Sequence, residues 1–73
     1  MNTELDTTGL LCPLPVLKAR KALKSLPSGA RLTLIATDPV AVIDVPHYCA
    51  QSGNRLISQD QDGEVLTFVI EKV

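Results

Sequence analysis

Five prolines, at positions 13, 15, 27, 39 and 46, do most to limit how this 73-residue chain folds. Proline fixes φ and lacks an N–H, so it opens helices, ends them or sits in turns, and central strands exclude it. The runs that alternate apolar and polar residues contain no proline, and four of the five fall at joints between such runs and helix-like ones. Only Pro46 interrupts a helix-like stretch.

Between these joints the segments read in turn. Glu4-Leu5-Asp6-Thr7-Thr8 alternates as a short strand closed by Gly9. Pro13 to Leu26 reads as a helix, with Val16, Ala19, Ala22, Leu23 and Leu26 along one face at spacings of three and four. Pro27-Ser28-Gly29 stops it. Arg31 to Thr37 alternates again, with Leu32, Leu34 and Ala36 on one side. Asp38-Pro39 opens a second helical region, a capping side chain followed by a first-position proline. Because Pro46 cannot bond back to Val42, the pattern predicts a short turn near residues 39–43 and then a helix capped by Asp44. Val42, Val45, Cys49 and Ser52 would share its inner face, and Gly53 would end it. Leu56 to Gln59 and Glu64 to Glu71 read as strands joined through Asp62-Gly63, a pair suited to a tight turn with positive φ at both central residues. In the last strand Leu66, Phe68 and Ile70 point one way.

The order β-α-β-α-β-β predicts a single domain over residues 1–73. With right-handed crossovers it is an α/β (α+β) two-layer sandwich, a mixed four-stranded sheet with two helices on one face. So short a chain buries only about 60% of its unfolded surface and has no room to surround a large cofactor. Any chemistry belongs at the surface and involves another protein.

Charge and composition narrow the partners. A net charge of −1 and a 3% aromatic content supply neither the positive field nor the stacking platforms of a nucleic-acid binder. Apolar runs are far shorter than a bilayer span, and the opening Met1-Asn2-Thr3-Glu4-Leu5-Asp6 is polar and acidic, unlike a secretory signal. Two cysteines and His47 fall short of a four-ligand zinc set, so no metal is expected. Asp38, Asp44, Asp60 and Asp62 read as caps and turn residues, and His47 as an exposed polar residue. Reduced thiols and the absence of a targeting segment predict a cytoplasmic protein.

Cys12-Pro13-Leu14-Pro15 is where chemistry would sit. Cys12 immediately precedes a helix, where free N–H groups and the macrodipole lower a thiol's pKa. Pro13 and Pro15 stiffen the backbone beside the sulfur. Leu14 and Leu17 fall off the core stripe among Lys18, Lys21 and Lys24, a surface suited to a protein partner. Local chemistry alone leaves Cys12 open between a functional thiol and a small core residue; Cys49, on an apolar helix face, reads as core. A redox pair of the Cys-x-x-Cys type is absent.

The run from Leu5 to Pro15, Leu-Asp-Thr-Thr-Gly-Leu-Leu-Cys-Pro-Leu-Pro, resembles the signature of the TusA/SirA family of small sulfur-carrier proteins. The resemblance continues through Pro27-Ser28-Gly29, Thr37-Asp38-Pro39, Asp44-Val45-Pro46, Cys49 and Gly53, and covers residues 4–73. It implies the same β-α-β-α-β-β fold and a sulfurtransferase activity without metal or organic cofactor. Cys12 would accept sulfane sulfur as a persulfide from a cysteine desulfurase or rhodanese-type donor and pass it to a cysteine of an acceptor protein. Leu14 stands where the member serving tRNA thiolation has an acidic residue, and Ile43 where it has arginine, so partner choice is expected to differ. A shuttle that exposes its sulfur to successive partners is expected to be a monomer, with no direct contact to nucleic acid or membrane. The alternative is a non-catalytic docking or regulatory module that uses the Leu14, Leu17 and lysine surface.

Overall fold

The computed structural model describes residues 2–73; Met1, the first residue of the polar opening segment, lies outside them. Six elements follow in the expected order: β1 (Asn2–Thr7), α1 (Leu14–Lys24), β2 (Arg31–Ala36), α2 (Ala41–Ser52), β3 (Arg55–Asp62) and β4 (Val65–Glu71). The strands form one sheet in the order β1-β2-β4-β3. β1 runs parallel to β2, and the other two pairings are antiparallel.

The core sits on one face of the two inner strands. Leu32, Leu34 and Ala36 of β2 lie opposite Ile70, Phe68 and Leu66 of β4, and none of the six is more than 2% exposed. Ala19 and Leu23 of α1 and Ala41, Val45 and Cys49 of α2 pack onto the same cluster. Their spacing of four residues is that of one helix face. The alternate strand positions Thr33, Ile35, Thr67 and Val69 stay half-buried, so both helices share one face of the sheet and the sandwich has two layers, as the segment order predicts.

α1 is shorter than its pattern, running from Leu14 to Lys24 with Pro13 as its N-cap. Pro15, Ala19 and Leu23 form its buried line, and Val16, Ala22 and Leu26 pack half-buried beside it.

α2 departs further from expectation. It is one helix with Pro46 inside it, not a turn followed by a helix capped at Asp44. The N–H groups of Ala41, Val42 and Ile43 bond three residues back to the carbonyls of Asp38, Pro39 and Val40, and that tight turn runs straight into the helix. Asp44 therefore lies in the first turn. Pro46 costs this helix one hydrogen bond, and the burial of Val45 and Cys49 on either side of it outweighs the loss. The inner face is Ala41, Val45 and Cys49; Val42 and Ser52, expected there, are exposed.

At the other end of the sheet β3 runs on to Asp62, so Asp60 and Asp62 are strand residues. Asp62 pairs with Val65, which makes Gly63-Glu64 the two-residue loop in place of Asp62-Gly63. Only Gly63 takes positive φ, at 60°, the pattern of a turn with glycine at its first central position. β3 is an edge strand with a register shift between Leu56 and Ser58 and mostly polar residues, features that discourage edge-to-edge pairing. Among the described residues no helix is long and apolar enough to cross a membrane.

Phe68 is the only phenylalanine and is fully buried between the layers. Phe68→Ala is expected to cost about 3–5 kcal/mol. That is roughly half of what a chain of this length holds in reserve, on the order of 0.1 kcal/mol per residue. Urea denaturation followed by circular dichroism should show the midpoint moved to about half the wild-type urea concentration or lower.

Candidate functional site

β1 and β2 are parallel and in register to Thr7 and Ala36, so the connections leaving them emerge at the same end of the sheet. That end is held by hydrogen bonds between the two strand ends and between the connections that leave them. The Thr7 hydroxyl donates to the Ile35 carbonyl at 2.5 Å. The Gly9 N–H donates to the Thr37 hydroxyl at 2.9 Å. Within the first connection, Thr8 donates its N–H at 2.8 Å and its hydroxyl to Asp6 Oδ1, which holds the Asp6 carboxyl below the usual carboxylate range. The Leu10 N–H returns to the Thr7 carbonyl at 3.1 Å, a turn that Gly9 permits with φ of 82°.

Asp38 fixes the next residue. It is 6% exposed, and its carboxylate divides between two backbone donors: Cys12 N–H on Oδ2 at 2.5 Å and Val40 N–H on Oδ1 at 3.1 Å. The second contact is the local turn expected of an aspartate before proline. The first reaches across 26 residues and locates Cys12.

Cys12 is exposed, and its thiol donates to Asp44 Oδ2 at 2.7 Å. That hydrogen bond, then desolvation, then the negative charges of Asp44 and Asp38, push the thiol above its ordinary value. This reverses the expected lowering by a helix start. Helix N-termini stabilise anions through their free N–H groups, and this one has few. Pro13 and Pro15 have none, and the Leu14 N–H is taken by the Leu11 carbonyl at 2.9 Å. Of residues 13–16 only Val16 retains a donor. The carboxylates of Asp44, in the first turn of α2, and Asp38, on the connection before it, then decide the sign.

The residues expected to meet a partner are all at the surface: Leu14 and Leu17 are 43% and 50% exposed, and Lys18, Lys21 and Lys24 are exposed beside them. Sequence reasoning marked Ile43 as bearing on partner choice but missed the apolar side chains of Leu11 and Val40. Leu11, next to Cys12, is 68% exposed, and Val40 and Ile43, next to the first turn of α2, are 43% and 69% exposed. It also missed Asp44 as a neighbour of the sulfur, having read it as a cap. Nothing in the local spacing marks that contact, because it joins residues 32 apart. Cys49, read as core, is 4% exposed, and burial pushes its thiol up. His47 is exposed. Among the described residues no group of three or more histidine, cysteine, aspartate or glutamate side chains is placed to hold a metal ion.

The family model described as Sulfurtransferase TusA matches residues 3–72. A protein of Allochromatium vinosum named sulfur carrier protein TusA is 45% identical over 71 residues, covering 97% of this chain and 93% of that one. A putative sulfur carrier protein of Neisseria meningitidis serogroup A is 44% identical, covering 97% of each. The crystal structure of a SirA-like protein from Desulfitobacterium hafniense superposes with a TM-score of 0.83 at 26% identity, covering 97% of this chain and 96% of that one.

Two outcomes follow from the site. Asp38→Ala leaves the Cys12 and Val40 N–H groups without their charged acceptor and is expected to cost about 1.5–3 kcal/mol, read from chemical denaturation. Iodoacetamide alkylation of Cys12 in the intact chain should rise with pH along a curve displaced above that of a solvent-exposed thiol, because the raised pKa delays the thiolate.

Proposed function

The chain belongs to the TusA family, and on that premise we propose that Cys12 carries sulfane sulfur as a persulfide between two partner proteins. Its role as a sulfur carrier follows from that membership. The observation that supports Cys12 as the site is the contrast between the two thiols: Cys12 is exposed on a connection tied down by hydrogen bonds, and Cys49 is sealed in the core. Only the first can meet a sulfur on another protein.

The reaction is a sulfurtransferase cycle. Cys12 attacks the terminal sulfur of a donor persulfide, such as that of a cysteine desulfurase or a rhodanese-type protein. An acceptor cysteine then attacks the outer sulfur of the Cys12 persulfide, following the logic of thiol–disulfide exchange. No metal or organic cofactor takes part. Pro13 and Pro15 limit the backbone freedom of the segment that holds the sulfur. Leu11, Leu14 and Leu17 on one side and Val40 and Ile43 on the other give both partners an apolar rim to close over it. Lys18, Lys21 and Lys24 extend that rim with positive charge. A monomer in the cytoplasm, where thiols stay reduced, suits a carrier that must face donor and acceptor in turn.

Intact-mass measurement after incubation with a cysteine desulfurase and cysteine tests this reading. The wild-type chain and Cys49→Ala should each gain one sulfur atom that is lost on reduction, and Cys12→Ala should gain none. A rhodanese donor provides the second arm. Failure of the wild type to gain sulfur from either donor, or retention of the gain in Cys12→Ala, would remove Cys12 from the role.

A further inference from the structure

The carboxylate of Asp44, in the first turn of α2, and the thiol of Cys12, on the β1–α1 connection, meet at 2.7 Å on the surface, and among the described residues no other side chain is hydrogen-bonded to either. Folding has therefore placed a proton acceptor against the one atom that must lose a proton before it can attack. The groups whose charge acts on that sulfur are Asp44 from α2 and Asp38 from the β2–α2 connection. α1 contributes none: its first basic residue, Lys18, is more than a turn beyond the helix start.

We infer that Asp44 is a catalytic residue of sulfur transfer, carrying the proton from the attacking sulfur to the departing one. The inference rests on the proposed persulfide chemistry at Cys12. In loading, the Cys12 Sγ–H proton passes to Asp44 Oδ2 as Sγ attacks the terminal sulfur of the donor persulfide, R–S–SH. The new Sγ–S bond forms, the S–S bond of the donor persulfide breaks, and its electron pair stays on the donor sulfur that remains attached to R. Asp44 then gives the proton to that sulfur. The sum is Cys12–SH plus R–S–SH giving Cys12–S–SH plus R–SH, with no net oxidation. Discharge is the mirror image: the proton of the acceptor thiol reaches Cys12 Sγ through the same carboxylate as the outer sulfur leaves.

The need for such a carrier is set by the surroundings. Thiol–disulfide exchange proceeds through the thiolate, and a thiol held between two carboxylates supplies little of it at neutral pH. Of the N–H donors that would otherwise supply that stabilisation, residues 13–16 at the helix start keep only that of Val16. Removing the proton during the step, and returning it to whichever sulfur departs, replaces a standing thiolate that this site disfavours.

Asp44→Asn separates this role from a purely electrostatic one because the two predict opposite signs. Removing the carboxylate raises the thiolate fraction, so alkylation of Cys12 by iodoacetamide at pH 7 should become faster than in the wild type. If thiolate fraction alone sets the rate, single-turnover loading from a desulfurase persulfide, followed by intact mass, should accelerate as well. With Asp44 carrying the proton, loading at pH 7 should instead slow, on the order of a hundredfold, and the deficit should shrink as the pH rises past the titration of Cys12. Far-ultraviolet circular dichroism and the urea midpoint confirm that the variant is folded; a variant that is not folded is replaced by Asp44→Glu, whose longer arm should slow loading while leaving the charge in place. Loading as fast as or faster than wild type in the folded Asn variant, or at the wild-type rate in the Glu variant, overturns the assignment of Asp44. Absence of loading in the wild type at every pH overturns the persulfide reading beneath it.

Discussion

The carboxylate of Asp38 bonds to two backbone N–H groups from different connections, Cys12 between β1 and α1 and Val40 between β2 and α2, and the geometry of the site follows from it. Being buried, the carboxylate meets little competition from water for these donors, so the pairing is strong and costly to break. It fixes the distance between the loop that ends in Pro13 and the first turn of α2. Once that distance is set, Asp44 meets the sulfur, and among the described residues its carboxylate makes no other hydrogen bond to the first connection. The parallel pairing of β1 and β2 is the precondition, because only parallel neighbours send both connections out at the same end of the sheet.

Support for the site is layered in the way the sheet is built. Leu32, Leu34 and Ala36 lock β2 into the core, and the residues that follow, Thr37 and Asp38, turn their polar groups towards the neighbouring connection. The apolar strand thus supplies rigidity and its polar extension supplies position. The same division holds on α2, where Ala41, Val45 and Cys49 face inward while Ile43 and Asp44, between them, are left to the surface side.

Strand and helix periodicity made most of the fold legible, since Leu66, Phe68 and Ile70, or Ala19 and Leu23, repeat at the spacing of the element they occupy. Pro46 was misleading for a physical reason: the helix forfeits one hydrogen bond there, and burial of Val45 and Cys49 more than offsets it. The turn at Gly63-Glu64 was misplaced by one residue because the pairing of Asp62 with Val65 is a cross-strand fact that the dipeptide does not carry. Cys12 and its exposed leucines could be found in the chain because helix phase and the Cys-Pro-Leu-Pro run are local. Asp38 and Asp44 as its neighbours could not, since each contact spans 26 or more residues. The sign of the thiol's shift was lost with them. A helix start was visible, but the capture of the Leu14 N–H by Leu11 was not.

The scarcity of N–H donors at the start of α1 has a thermodynamic consequence for cargo. A site that stabilised an anionic sulfur strongly would lower the free energy of the loaded state and become a sink, slow to release what it had taken. On the persulfide chemistry proposed for Cys12, Pro13 and Pro15 withhold donors and Leu14 is already engaged, so the helix start adds little stabilisation to an anionic sulfur of the loaded form. On the same proposal, direction is left to the relative reactivity of donor and acceptor and to their concentrations, the property that distinguishes a conduit from a store.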